Sequence, residues 1–471
     1  MAAAEAEEDE KRPVNGCGYE EMTNKHDKTE KNAPVSAREA AYRSLLRIEK
    51  EGRYSNLEAD LVLKAGGLKE KDRALYTRLV YGTIERKLTL DHHLAALCDR
   101  PYEKTEAGVK VLLRLGAYQI LFSDRIPDSA AVNESVELCK RYHKSAASFL
   151  NAMLRRLARE KNALSYPDEG ESPVDYLSSY YSVSRGVCAL FLEQFGLERC
   201  KSLFAAMNEN PPLTLRVNTL KTTLSDFTSL LEERQIGYEK TPFAPFGVRV
   251  NAPVSALQDL FDRGLCFVQD EASQLCAAAL HAKPGDTLID CCACPGGKSF
   301  GGALHMENRG RVLSFDLHQN KLSLIDAGAK RLGITVLTTA CADASKYKEE
   351  LFESADVLLL DVPCSGLGVL AKKPDLRYKN VEETARLPEI QAGILENACR
   401  YLKKGGRLVY STCTLLEREN GDRVDAFLES HPEFEEAPLD ISCGGDASRL
   451  TLFPDIHGTD GFYIAAMVKK G

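Results

Sequence analysis

Two cysteines and an aspartate in the last quarter of the chain are the residue types that nucleophilic chemistry needs. Cys413 follows the apolar run RLVYST, where a buried strand gives way to the loop TLLEREN, and Cys364 and Asp361 close a second such run, DVLLLDVPCS. A lone cysteine is usually a small buried hydrophobe, so the set matters more than any member. Two thiols and a carboxylate at strand ends of one sheet would face one cleft. Carbon 5 of a pyrimidine is a poor nucleophile, and methylating it calls for a thiolate that first adds at carbon 6. A carboxylic acid held neutral near ring N3 would hydrogen-bond the base and offset the charge of addition. A base must then remove the carbon 5 proton so that the thiol can leave. Spacing alone does not choose between Cys413 and Cys364 as the attacking group.

The methyl donor would need its own site. LIDCCACPGGKSF reads as strand, tight glycine turn and helix, with Gly296 and Gly297 letting a ligand approach the backbone. The turn is neither the dinucleotide fingerprint nor a Walker A loop, whose spacing to the lysine is longer. Asp290, Asp316 and Asp343 end three successive strands. An acid about 20 residues past the glycines is the position that takes ribose hydroxyls, and a third can accept from an exocyclic amine. The ordered set suits an adenosine-bearing cofactor without phosphates, and S-adenosylmethionine is the natural candidate. The neighbouring Cys291, Cys292 and Cys294 have no second ligand pair at zinc-like spacing, so a structural role and no metal are expected.

These residues require a sheet to hold them. Runs TLIDCC, RVLSFDL, TVLTTACA, DVLLLDV and RLVYST alternate with helical segments from about residue 263 onward, which predicts a parallel sheet in an open α/β fold. The helix QAGILENACRYLKKGG is expected to run to Gly405–Gly406 with Gln391, Ile394, Leu395, Ala398 and Leu402 on one face. Before the sheet, residues 170–262 mix helices with the strand-like runs LTLRVNTL and VRVNAPV, as in a small α+β module. Residues 35–165 read as one all-α domain that opens on a Ser36–Glu39 capping signal. Residues 1–34 are polar and acidic and read as a disordered tail.

The 471 residues carry a formal net charge of −8, which argues against a protein that coats nucleic acid non-specifically. Residues 139–161, with seven Lys/Arg against one Glu, leave room for a local basic face. No apolar run approaches the roughly 18 residues a membrane span needs, and the acidic start is no signal peptide. A cytoplasmic monomer is expected, off the membrane and with its fifteen cysteines as thiols.

The segments VQDEASQL (268–275), DCCACPGGKS (290–299), SFDLHQNKL (314–322), DVPCSGLG (361–368), KKPDLRY (372–378), YSTCTLLEREN (410–420) and DGFYIA (460–465), in that order, resemble the RNA cytosine-5 methyltransferases. The helical part, with IPDSAAVNESV and FLNAMLRRL, resembles the NusB-like domain of their RsmB (Sun/Fmu) branch. The resemblance implies an all-α NusB-like RNA-binding domain (35–165), the small module (170–262) and a Rossmann-like methyltransferase domain (263–471). It implies Cys413 as nucleophile, Cys364 as helper in elimination, Asp361 on the cytosine and Lys298 in the catalytic pocket. S-adenosylmethionine would be held by Asp290, by Cys292, Ala293, Cys294, Pro295, Gly296 and Gly297 with Lys298, and by Asp316, Lys321, Asp343 and Asp361. The implied substrate is one cytosine of small-subunit ribosomal RNA, turned out of its stack. The chain departs from the usual pattern at Cys294 (Ala), Lys373 (His), Tyr378 (Trp) and Gly421 (Glu). Three rivals fit worse. A non-catalytic RNA scaffold would not need both thiols and all the acids, an adenine-nitrogen methyltransferase needs no thiol, and an oxidoreductase lacks its glycine fingerprint.

Overall fold

A computed structural model describes residues 36–471; the tail expected over 1–34 lies outside the described residues. The helical part starts at its capping signal, where the Ser36 hydroxyl accepts the Glu39 N–H at 3.2 Å and opens α1 (Ala37–Glu51). The Glu39 carboxylate turns away to Arg43, Arg141 and Tyr142. There follow α2 (Ser55–Lys64), α3 (Glu70–Glu85), α4 (Lys87–Ala96), α5 (Ala107–Phe122), α6 (Asp128–Tyr142) and α7 (Ala147–Glu160). Helix α5 is apolar on nearly every side, so it is buried along its length and packs against α1, α3, α6 and α7. Tyr76, Leu79, Leu90, Leu94, Leu112 and Leu113 fill the shared core.

Helices α8 (Pro173–Tyr181), α9 (Arg185–Phe195) and α10 (Leu197–Ala206) share a core with Leu367, Leu370, Leu415 and Leu416. Next come β1 (Leu213–Val217), α11 (Leu224–Glu233), β2 (Tyr238–Lys240), β3 (Gly247–Val250), α12 (Gln258–Asp262) and β4 (Cys266–Val268), whose strands form an antiparallel sheet of order β2-β3-β1-β4. Strand β4 pairs with β1, so this sheet extends past residue 262.

The large sheet is built from β5 (Thr287–Asp290), β6 (Arg311–Asp316), β7 (Leu337–Cys341), β8 (Ala355–Asp361), β9 (Leu402–Thr412), β10 (Phe434–Glu436), β11 (Arg449–Leu452) and β12 (Phe462–Lys469). Helices α13 (Glu271–Ala279), α14 (Gly297–His305), α15 (Gln319–Leu332), α16 (Leu387–Ala398), α17 (Gly421–Ser430) and the short α18 (Pro454–His457) connect or cover the strands. The order is β10-β12-β9-β8-β5-β6-β7, with β11 also on β12; β5 to β9 are parallel and the other three antiparallel. Both faces of the parallel part are covered: Leu288, Val357 and Leu359 point to one core, Ile289, Leu358 and Leu360 to the other. That burial explains the unbroken apolar runs. The chain reverses direction across the sheet between β5 and β8, and the cleft outside that switch point is where such sheets bind ligands.

Two expectations change. The parallel sheet carries an antiparallel edge, which the alternation of runs and helices did not contain. Helix α16 ends at Ala398 and β9 begins at Leu402. Pairing with β8 jumps from Ala355–Leu402 to Val357–Arg407, so Gly405 and Gly406 sit in a bulge, not at a helix end. Leu402 fits the apolar side of either element, so periodicity could not place it.

Candidate active site

Strands β8 and β9 run parallel with Asp361 opposite Ser411, so the loops after both open on one edge. Cys364 Sγ and Cys413 Sγ stand 3.3 Å apart. Gly368 makes this approach possible: its N–H donates to the Cys413 carbonyl at 2.9 Å, and its own carbonyl accepts from Gly461 at 2.9 Å. A Cβ there would lie 2.0 Å from the Gly461 carbonyl oxygen. The two thiols bind their protons unequally. Cys413 is lowered from the ordinary thiol value, through its hydrogen bond with Cys364 and through the Lys373 and Lys298 ammonium groups, which together outweigh burial and Asp361. Cys364 is pushed well above that range by the same bond, by burial and by the Glu419 charge. Of the two, Cys413 is the thiol that gives up its proton more readily, and the thiolate is the reactive form.

Lys298, in the first turn of α14, donates to Asp361 at 2.7 Å and lies 4.9 Å from the centre of the Phe462 ring. Burial works against its charge, but Asp361 more than offsets this and holds the ammonium protonated. The Ser411 hydroxyl donates to the other Asp361 oxygen at 2.9 Å. Both Asp361 oxygens thus accept, one from an ammonium group and one from a hydroxyl. Lys298 comes from a different loop, so the sequence around Asp361 held no sign of it.

Asp290 lies at the end of β5, fully buried. It accepts the Ser299 hydroxyl at 2.6 Å and the Cys292 N–H at 3.3 Å, and Ser314 in turn donates to Ser299. Burial, with Asp361 adding to it, raises its carboxyl to about 7. Asp316 accepts the Cys294 and His318 N–H groups at 3.2 and 3.0 Å. Asp343 accepts both the N–H and the hydroxyl of Ser345. Lys321 lies in the first turn of α15, where its charge acts on Cys294. Cys291, Cys292 and Cys294 are all raised by burial, which leaves them inert beside Cys413. The groups fit a nucleoside-bearing cofactor. Gly296 has φ of 106° and a Cβ on it would meet the Phe300 ring at 2.5 Å, so this turn keeps bare backbone toward the cleft. Asp316 spends two of about four lone-pair sites on backbone, which leaves acceptors for a ribose diol.

Sequence reasoning missed Ser299, Ser411, Phe462, Gln269, Glu419 and the reach of segment 372–379. Gln269 donates to the Gly297 carbonyl at 2.9 Å. Lys372 bridges Asp270 and Asp460 at 2.5 and 2.8 Å, and burial beside Asp270 lifts Asp460 to about 6. Asp375 caps α2 through Ser55, Arg377 is buried on the Tyr181 and Met207 carbonyls, and Tyr378 meets the Ile84 carbonyl. One segment thus ties the helical body to the thiol loops; its motif KKPDLRY was visible in the sequence, but these contacts were not. The expected basic face over 139–161 is largely neutralised. Lys140, Arg141, Arg156 and Lys161 pair with Glu137, Glu39, Glu160 and Asp128. Lys144, Arg155 and Arg159 have no carboxylate partner among the described residues.

Three family profiles match the chain: the NusB family over residues 35–159, the ferredoxin-like domain of RsmF/B-like methyltransferases over 188–256, and 16S rRNA methyltransferase RsmB/F over 277–468. The chain is similar to the probable ribosomal RNA small subunit methyltransferase B of Bacillus subtilis (strain 168), with 38% identity over 447 residues, 93% of this chain and 99% of the relative. The protein of the same description from Synechocystis sp. is 34% identical over 92% of this chain and 100% of its own length. Among solved structures, that of PH0851 matches with a TM-score of 0.77 at 25% identity, over 93% of this chain and 99% of that one. A methyltransferase homolog protein from Pyrococcus horikoshii matches with a TM-score of 0.55 at 29% identity, over 62% and 97%.

Proposed function

The chain belongs to the RsmB/F family of 16S rRNA methyltransferases, and from that premise we propose that it methylates carbon 5 of one cytosine in small-subunit ribosomal RNA through a covalent bond from Cys413 to carbon 6. S-adenosylmethionine, when bound beside Asp290, Asp316 and Asp343, supplies an electrophilic methyl group. The observation that carries the reading is the 3.3 Å pair of unequal thiols beside the Lys298–Asp361 ion pair.

The target base is turned out of its stack into the cleft. Asp361 accepts from the amino edge of the ring, and Lys298 offsets the negative charge that addition puts on the ring. The Cys413 thiolate adds at carbon 6 and makes carbon 5 electron-rich, so that carbon 5 would take the methyl group as the bond from that methyl to the donor sulfur breaks. Once the Cys413 sulfur is bound to carbon, it no longer raises Cys364. Cys364 then loses its proton to water, takes the proton from carbon 5 and lets Cys413 leave. The helical body would hold the RNA, with exposed Lys144 and Arg159 free for phosphates.

The test is transfer of labelled methyl to small-subunit ribosomal RNA from a strain lacking this gene. The native protein should make 5-methylcytosine at one site, Cys413→Ala should lower transfer more than about a thousandfold, and Cys364→Ala should accumulate a covalent RNA adduct. A Cys413→Ala protein that still methylates cytosine would overturn the mechanism.

A further inference from the structure

The turn after β9 carries a pair of side chains that those steps do not use. Glu419 is fully buried. Its Oε2 accepts the Ser365 N–H at 2.8 Å and the Gln391 amide at 3.1 Å, and that amide also donates to the Pro363 carbonyl at 3.0 Å. Pro363 and Ser365 are the neighbours of Cys364. Asn420 frames the other thiol in the same way. Its Oδ1 accepts the Thr412 hydroxyl at 2.5 Å, and its Nδ2 donates to the Thr414 carbonyl at 3.1 Å, on either side of Cys413. The Ser365 hydroxyl donates to Thr414 at 2.7 Å and closes the frame. The second Glu419 oxygen has no partner and is shut away from water.

We propose that Glu419 is a positioning residue for the thiol pair: it anchors the peptide after Cys364 directly and the one before it through Gln391, and its buried negative charge favours the thiolate at Cys413. The inference rests on the reading of Cys413 as nucleophile. Cys413 faces Cys364, Asp361, Lys373 and Lys298, whereas Cys364 faces Cys413 and Glu419. Two ammonium groups thus offset the one carboxylate at Cys413, whereas Cys364 meets the Glu419 carboxylate with no cation beside it. Glu419 is shut away from solvent, so its charge acts on Cys364 with little screening. Without Glu419 the proton shared by two chemically equal thiols would have less reason to stay on Cys364.

The experiment is peptide-resolved alkylation with limiting iodoacetamide near neutral pH, since only thiolates react quickly. The native protein should be labelled at Cys413 in preference to Cys364. Glu419→Gln keeps the shape and the acceptor but removes the charge, so the preference should fall by about tenfold, the equivalent of one pKa unit. The rate constant kcat should fall with it while KM for RNA stays unchanged. Glu419→Asp, shorter but charged, should stay close to native in preference. A role in packing alone predicts the reverse ranking, with the isosteric Gln tolerated and Asp not, and that ranking overturns the proposal. Should the Gln variant not fold, equal labelling of both thiols in the native protein, or loss of the preference in the Asp variant, overturns it equally. Labelling is independent of methyl transfer, so a failure of the Cys413 mechanism shows in the transfer assay and a failure of the Glu419 role shows in the labelling ratio.

Discussion

The two halves of the sheet edge hold their working groups by different means. On the side proposed for the cofactor the carboxylates are satisfied from their own or adjacent loops. Asp343 closes a turn on Ser345, Asp316 takes the His318 and Cys294 N–H groups, and Asp290 takes Cys292 and Ser299. On the thiol side the fixing contacts come from afar. Lys298 reaches Asp361 across 63 residues, Glu419 reaches Ser365 across 54 and Gln391 reaches Pro363 across 28. The cofactor half can keep its shape while the rest of the molecule loosens; the thiol half exists only when at least four segments and the helical body are assembled.

The strongest way to break that contrast is Lys298→Met. The variant leaves the partly exposed Asp361 beside the thiols without its cation, a loss that should cost less than the roughly 3–5 kcal/mol of a broken buried pair because solvent reaches the carboxylate. Methyl transfer should fall more than about a thousandfold, since the Cys413 thiolate loses a stabilising charge and the ring loses its electrostatic partner. Cofactor affinity, measured by calorimetry, should change by less than about tenfold if the carboxylate half is self-supporting. A parallel collapse of both would show that the two halves are one unit.

The same contrast decides what was legible in the sequence. Asp290, Asp316 and Asp343 were found because each stands at the end of its own apolar run and acts through nearby chain, which is the range that patterns report. Cys364 and Cys413 were found as strand-end thiols, but their inequality was not, because it comes from Lys298, Lys373 and Glu419 placed by tertiary folding. Strands β5 to β9 were legible because burial on both faces makes continuous apolar runs. Short β2, β4 and β10 lacked enough residues to show a period, and Leu402 had the right chemistry for both helix and strand. The Ser36 cap held, while its reciprocal partner Glu39 was drawn off by Arg141 and Tyr142, which no local pattern could reveal.

A second, smaller effect sharpens the description of the cofactor half. Burial raises Asp290 from about 3.8 to about 7 in the folded protein. Between those values the native state binds more protons than the unfolded chain, so this group makes stability fall as pH rises from about 4 to 7 and leaves a penalty above it. The shift corresponds to about 4 kcal/mol at most. Without cofactor, Asp290→Asn should therefore melt higher than native at pH 8, and the gap should narrow at pH 5. A gap independent of pH would mean that Asp290 is not the titrating group.

The smallest effect is expected at Asp343, which is partly exposed and held below the usual carboxylate range by Ser345, against some burial, and by Lys346. Two roles are separable there. If the carboxylate only shapes its turn, Ser345→Ala, which removes the hydroxyl contact, and Asp343→Ala, which removes it together with the backbone N–H contact, should weaken cofactor binding to within about twofold of one another. If the carboxylate also accepts from the amine of the cofactor, Asp343→Ala loses a charge-assisted bond as well. Solvent reduces the value of such a bond, so the expected outcome is a rise in Kd of about fivefold for Asp343→Ala and less than about twofold for Ser345→Ala. Stability should move by less than about 0.5 kcal/mol in both, because neither side chain supports anything outside its own turn. A large loss of stability at Asp343 would mean that the cofactor half, too, depends on distant parts of the fold.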